Sequence, residues 1–212
     1  DTTVGHWEMS GVITSVPFRI NPNGMSQDFI DDFVKEAKLD GVIGNVAGSG
    51  TDIMKEYGEE HLRTGLPIVY VSPVDSNFQI LAHEERFGLD RLYDICKVAR
   101  RLLKGEREVA RVIARPFIGT CSADFERTSN RRDYSVKPTG VTMLNRISEA
   151  GMAVAAVGKI EDIFCGVGIT ESIHTKGNMD GVDKTLENMK SVKDGLIFTN
   201  LVDFDMKYGH RN

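Results

Sequence analysis

Residues 195–205 read Gly-Leu-Ile-Phe-Thr-Asn-Leu-Val-Asp-Phe-Asp and, with Ala-Val-Ala-Ala-Val-Gly-Lys at 153–159, they decide the fold. Both runs are almost continuously apolar, as strands of a parallel sheet are when helices cover both faces. Helical periodicity precedes and separates them, at 140–150 and about 179–192, so helix and strand alternate in the α/β manner. Ligands of open α/β sheets gather at the carboxyl ends of strands. That rule puts Lys159, at the end of 153–159, at a candidate site. Asp203 and Asp205, two apart, are expected on one side of a strand running to 205, with His210 after a short turn.

Upstream, residues 26–38 set Phe29, Ile30, Phe33, Val34 and Ala37 on one helical face behind Ser26 as N-cap. A second helix is expected from Thr51 to about Arg63. A third, from Leu89 to Lys104, carries Cys96 on its apolar stripe as a core residue. The β-branched runs 67–72 and 109–117 read as strands. The polar, basic, turn-rich stretch from about 119 to 138 is the natural seam between two compositional units.

With 212 residues and 41% apolar content, the chain can bury one core or two small ones. Its 26 Lys+Arg against 31 Asp+Glu give a formal charge of −5, which argues against nucleic acid as a partner and leaves anion capture to local basic clusters. No apolar run approaches the ~20 residues of a membrane helix, and the opening DTTVGHWEMS has no leader pattern, so a cytoplasmic, non-membrane chain is expected. Cys96, Cys121 and Cys165 are odd in number and widely spaced, against a disulfide framework. The chain opens at Asp1 and stops at Gly-His-Arg-Asn, so its length is expected to be that of a piece.

Several groups could carry chemistry, each with a plainer reading beside it. Asp205 and His210 suit a divalent ion with open positions, or are a helix N-cap and an exposed histidine. Thr2 and Thr3 become nucleophiles only beside a base or a metal, or belong to a frayed terminus. Arg111 and Arg115 share one face of an apolar strand and join Arg127, Arg131, Arg132 and Lys159 in a basic set. Either a small phosphate anion meets them, or Glu84, Glu85 or Asp75 does. The run GNVAGSG (44–50) lacks the spacing and the Lys-Ser/Thr of a P-loop and reads as a tight turn. His83-Glu84-Glu85 is no zinc-protease motif, and His61 and His174 have no evident partner.

Taken together, DTTVGHWE at the start, RVIARPFIG (111–119), FERTSNRRDY (125–134), VGKIEDI (157–163) and LVDFDMKYGHR (201–211) resemble the phosphopentomutase family of the alkaline phosphatase superfamily, end to end. The resemblance implies interconversion of ribose 1-phosphate and ribose 5-phosphate, and of the deoxyribose pair, in nucleoside catabolism and salvage. It implies a phosphothreonine, two manganese ions and priming by glucose 1,6-bisphosphate or a similar bisphosphate. Carried over by residue, Thr2 is the nucleophile and Asp205 and His210 are manganese ligands. Arg111 and Arg127 bind the substrate phosphate, with Lys159, Asp75 and Ser72 as further substrate contacts. Where that family reads T-S-A-D-S, this chain has Val71-Ser72-Pro73-Val74-Asp75-Ser76, one residue longer.

The implied fold is an α/β cap domain, residues 18–136, between alkaline-phosphatase-like core segments, 1–17 with the nucleophile and 137–212 with the metal ligands. Such a piece is expected to be inactive alone and to need the remaining core segments of a full-length chain. Two other readings stay open: another metal-dependent phosphomutase or phosphatase of the superfamily, and a non-catalytic module that binds sugar phosphates.

Overall fold

Helix α1 (Thr2–Met9) begins the chain and buries Thr3 and Trp7. The structure, a computed structural model, describes residues 2–203; Asp205 and His210 lie outside the described residues. The chain divides into two compact units, Pro17–Ser135 and the segments on either side of it.

Pro17–Ser135 contains α2 (Gln27–Glu36), β1 (Ile43–Ala47), α3 (Gly50–Thr64), β2 (Ile68–Val71), β3 (Asn77–His83), a π-helical turn (Glu84–Gly88), α4 (Leu89–Leu102), β4 (Arg111–Ile118), β5 (Glu126–Arg127) and β6 (Arg132–Ser135). These strands form one six-stranded sheet in the order β1-β2-β3-β4-β5, with β6 also on β4. The β1/β2 and β3/β4 pairs are parallel and the others antiparallel. One face packs Phe78, Ile80, Val112 and Ala114 against Phe29 and Phe33 of α2 and the buried stripe of α4, where Cys96 is fully buried as expected. On the other face, Ile53 and Met54 of α3 meet Tyr70, Leu81, Phe117 and Phe125. Strand alternation therefore puts Arg111, Arg115 and Phe117 on the α3 face. A β-carbon at Gly58 would run into the Phe125 ring, so α3 approaches that ring where it has no side chain.

His61, for which the sequence names no partner, is a buried link of this unit. Its Nδ1–H donates to the Leu66 carbonyl at 2.6 Å, and its Nε2 accepts the backbone N–H of His83 at 2.9 Å. His83 in turn accepts the N–H groups of Glu85 and Arg86 at Nδ1, at 3.3 and 3.2 Å, and donates from Nε2 to the Gly119 carbonyl at 3.0 Å. Both rings thus do structural work. Burial pushes the His61 pKa down, because a charged ring would lose both solvent and the acceptor role of Nε2. The unfolded chain, with histidine near pKa ~6.5, binds the proton more readily, so stability is full above that value and is lost as pH falls below it. The urea midpoint is expected to fall between about pH 7.5 and 5.5 and to lose that slope in His61→Gln; a flat wild-type profile contradicts this.

The second unit joins α1 to α5 (Met143–Glu149), β7 (Ala153–Val157), α6 (Ile160–Phe164), β8 (Glu171–Ile173), α7 (Asn178–Ser191) and β9 (Gly195–Thr199). Its sheet is wholly parallel, in the order β8-β7-β9. Thr142 and Asn145 close a capping box at the start of α5. Trp7, fully buried, donates from Nε1 to the Ile163 carbonyl at 3.2 Å and so fastens α1 to α6. The strand expected to run to 205 ends at Thr199. Its partner β7 stops at Val157, Gly158 turns away with φ 82°, and only the Asn200 N–H still reaches the Val157 carbonyl, at 3.0 Å. Asp203 lies past the strand, its N–H donating to Asn178 Oδ1 at 2.9 Å, so its expected place on the strand is corrected, while Asp205 lies outside the described residues. No helix among the described residues is long and apolar enough to cross a membrane.

Candidate functional site

In the second unit, two of the candidate groups, Thr2 and Lys159, fall among the described residues. Thr2, half-buried, is the first residue of α1, where the helix presents unpaired N–H groups and the positive end of its dipole. His6, one turn on, donates from Nδ1 to the Thr2 carbonyl at 2.7 Å and lies 5.9 Å, ring to ring, from Phe198 of β9. Asn200, directly after β9, brings its Nδ2 within 3.5 Å of His6 Nε2. Lys159 follows the end of β7 and precedes α6, half-buried. Thr2 and Lys159 thus share one sheet edge.

In Pro17–Ser135 two members of the basic set, Arg131 and Arg111, meet one carboxylate, and that carboxylate is Asp133 rather than Glu84, Glu85 or Asp75. Arg131 clasps it with Nε and NH2, each at 2.7 Å from an oxygen, and Arg111 NH1 stands 3.6 Å away. Burial alone would push the Asp133 pKa up; Arg131, Arg111 and Arg115 together hold it below the usual carboxylate range. Arg115 donates from Nε to Gln79 Oε1 at 3.0 Å, and the same oxygen accepts from Tyr70 OH at 3.0 Å. Burial first, then the neighbouring charge of Arg131 and Arg127, brings the Arg115 pKa down to about 10. A guanidinium under that strain marks a region short of negative charge.

Arg127 is exposed and donates from NH2 to Thr51 Oγ1 at 2.8 Å, in the first turn of α3. Arg111 and Arg127 therefore have separate partners, with Arg115 in electrostatic reach of Arg127 and of the carboxylate that Arg111 faces. Ser72 accepts the N–H groups of Val74 and Asp75 at 3.3 and 3.2 Å, a local turn that presents half-buried Asp75. The reading of residues 44–50 as lacking strand-turn-helix spacing is corrected: β1, two loop residues and α3 follow in that order. The strand escaped notice because Gly44 and Asn45 take φ 90° and 61° within a bulge. The P-loop lysine is still missing, and Asp52 occupies the first turn.

A family profile described as the metalloenzyme superfamily matches residues 2–212. The chain belongs to the metalloenzyme superfamily. Among similar curated proteins, the phosphopentomutase of Clostridium novyi is 60% identical over 212 residues, 100% of this chain and 54% of the relative. The phosphopentomutase of Symbiobacterium thermophilum is 56% identical over 211 residues, 100% of this chain and 53% of the relative. That of Clostridium acetobutylicum is 59% identical over 212 residues, again 100% of this chain and 54% of the relative. The chain spans about half the length of the curated relatives it matches.

Membership of the metalloenzyme superfamily implies a bound divalent metal. Among the described residues, no group of three or more His, Cys, Asp or Glu side chains is placed to hold one. The described residues alone do not fit a metal centre. His174 stands with its Nε2 3.8 Å from a Glu161 carboxylate oxygen.

Proposed function

We propose that the whole protein is a phosphopentomutase, an isomerase that moves a phosphoryl group between C1 and C5 of ribose and of 2-deoxyribose. One observation carries the reading: a threonine hydroxyl at the amino end of α1, tied through His6 to the carboxyl edge of a parallel sheet. A nucleophile there meets partial positive charge that favours an alkoxide and the phosphoryl group it carries. The name of the relatives, 54–60% identical across the whole chain, supports the choice of pentose phosphates as substrates.

In the proposed cycle, phospho-Thr2 gives its phosphoryl group to the free hydroxyl of the pentose monophosphate. The P–O bond to Thr2 breaks, a P–O bond to the sugar forms, and the hydroxyl proton leaves to solvent. The bisphosphate so formed turns round and returns its other phosphoryl group to Thr2: the P–O bond at that end of the sugar breaks, a P–O bond to Thr2 forms, and the freed sugar oxygen takes up a proton from solvent, which regenerates the enzyme and releases the isomer. Arg111 and Arg127 hold the phosphate that is not being transferred, and Lys159, Asp75 and Ser72 contact the sugar. Segment 18–136 acts as the cap, and the flanking segments belong to the core that holds Thr2, Asp205 and His210. Two manganese ions, priming by glucose 1,6-bisphosphate, a cytoplasmic setting and a place in nucleoside catabolism and salvage belong to the same proposal.

Arg127→Ala in the whole protein tests the assigned phosphate contact. A lost charge-assisted hydrogen bond of about 1.5–3 kcal/mol corresponds to a rise of about 10- to 100-fold in KM for ribose 5-phosphate. Steady-state kinetics with an unchanged KM would remove Arg127 from the binding set.

A further inference from the structure

We propose that His6 and Asn200 are positioning residues for Thr2, locking the first turn of α1 onto the carboxyl end of β9; the inference rests on Thr2 being the nucleophile. The Thr2 carbonyl can only accept, so the 2.7 Å contact fixes the proton of His6 on Nδ1. Nε2 then carries the lone pair, and the Asn200 carboxamide meets it with an N–H, at 3.5 Å. Asn200 is itself well seated: its N–H is bonded to Val157, and a β-carbon at Gly158 would come within 2.7 Å of its carbonyl oxygen. A larger residue at 158, where φ is 82°, would displace it.

The carboxamide is costly where it stands. Its Oδ1 is buried with no hydrogen-bond partner among the described residues, and its one side-chain bond there goes to His6. An apolar residue would avoid the penalty of an unpaired buried acceptor, but it could not hold the imidazole. The need for a hold follows from the helix: α1 has eight residues, and the first turn of so short a helix frays unless tertiary contacts pin it. Trp7 pins the middle of α1 to α6, whereas His6 and Asn200 pin the turn that carries Thr2. Misplacing a reacting atom by about 1 Å costs on the order of 10²-fold in rate. Fixing the backbone at Thr2 fixes the origin of its Oγ.

His6→Phe in the whole protein keeps a ring against Phe198 but cannot donate. It is expected to lower kcat by about 30-fold or more, with KM for ribose 5-phosphate within about twofold. His6→Asn, whose Nδ2–H stands in for Nδ1–H, is expected to recover about tenfold of that loss. Equal kcat in the two variants, or a loss expressed in KM, overturns the inference. Should His6→Phe not fold, ring ¹⁵N shifts of wild-type His6 near neutral pH decide: a neutral ring protonated at Nδ1 supports the tether, and one protonated at Nε2 overturns it. Thr2→Ala separates the two claims, since full activity in that variant removes the nucleophile, whereas an inactive Thr2→Ala beside a fully active His6→Phe removes only the tether.

Discussion

Thr2→Ala in the whole protein is expected to lower kcat for pentose phosphate interconversion by at least about 10³-fold, because no other group takes over covalent phosphoryl transfer once the hydroxyl is gone. The size of the effect follows from the mechanism: a mutase that keeps the phosphoryl group on itself has no slower parallel route through water that yields the isomer. Stability should hardly change, by about 0.5 kcal/mol or less, since the side chain is half-buried at a helix start and outside the core around Trp7. Thr2→Ser, which keeps the hydroxyl and frees its rotamers, is expected to fall between the two. An assay of ribose 1-phosphate formation from ribose 5-phosphate, with more than about 1% of wild-type kcat left in Thr2→Ala, contradicts the assignment.

Asp133→Asn is expected to destabilise the chain by about 3–5 kcal/mol, the cost of leaving buried charge uncompensated. Asn has the shape of Asp and can still accept one hydrogen bond, but it offers no charge to Arg131, Arg111 and Arg115. Those guanidinium groups would then face one another on the α3 side of the sheet, with Arg115 already short of negative charge. The same pairing sets an acid limit. Because the folded carboxyl has a pKa below its unfolded value near ~3.9, its contribution is complete above that value and is lost as pH falls through the folded one. Urea denaturation at neutral pH reads the effect as a lower midpoint; equal midpoints for Asp133→Asn and wild type would show that the arginines are neutralised elsewhere.

The α/β class was legible where side chains face apolar surroundings on both sides. Ala153–Val157 is such a strand, Gly195–Thr199 is apolar but only half-buried, and the residues read as strand and helix around them match the observed elements closely. Strand β3 was not legible, because Asn77, Gln79 and His83 make it look polar although every residue in it is buried. Their polarity serves the α3 face: Asn77 accepts from Ser72 N–H and Gln79, and Gln79 accepts from Tyr70 and Arg115. The end of β9 depended on where β7 stops, which its own apolar pattern could not reveal. Sequence spacing brought Arg111 and Arg115 together on one face. It could not pick out Asp133, which reaches them through antiparallel pairing of β6 with β4. The partners of His61 are main-chain groups and leave no sequence signal.

The covalent intermediate is the centre of the proposal, and mass analysis of the whole protein tests it most directly. After incubation with a sugar bisphosphate, the peptide that contains Thr2 is expected to gain the mass of one phosphoryl group, with fragmentation locating it on Thr2 and with its loss on addition of a pentose monophosphate. An active protein whose phosphoryl group sits on another residue, or that turns over without any, would contradict it.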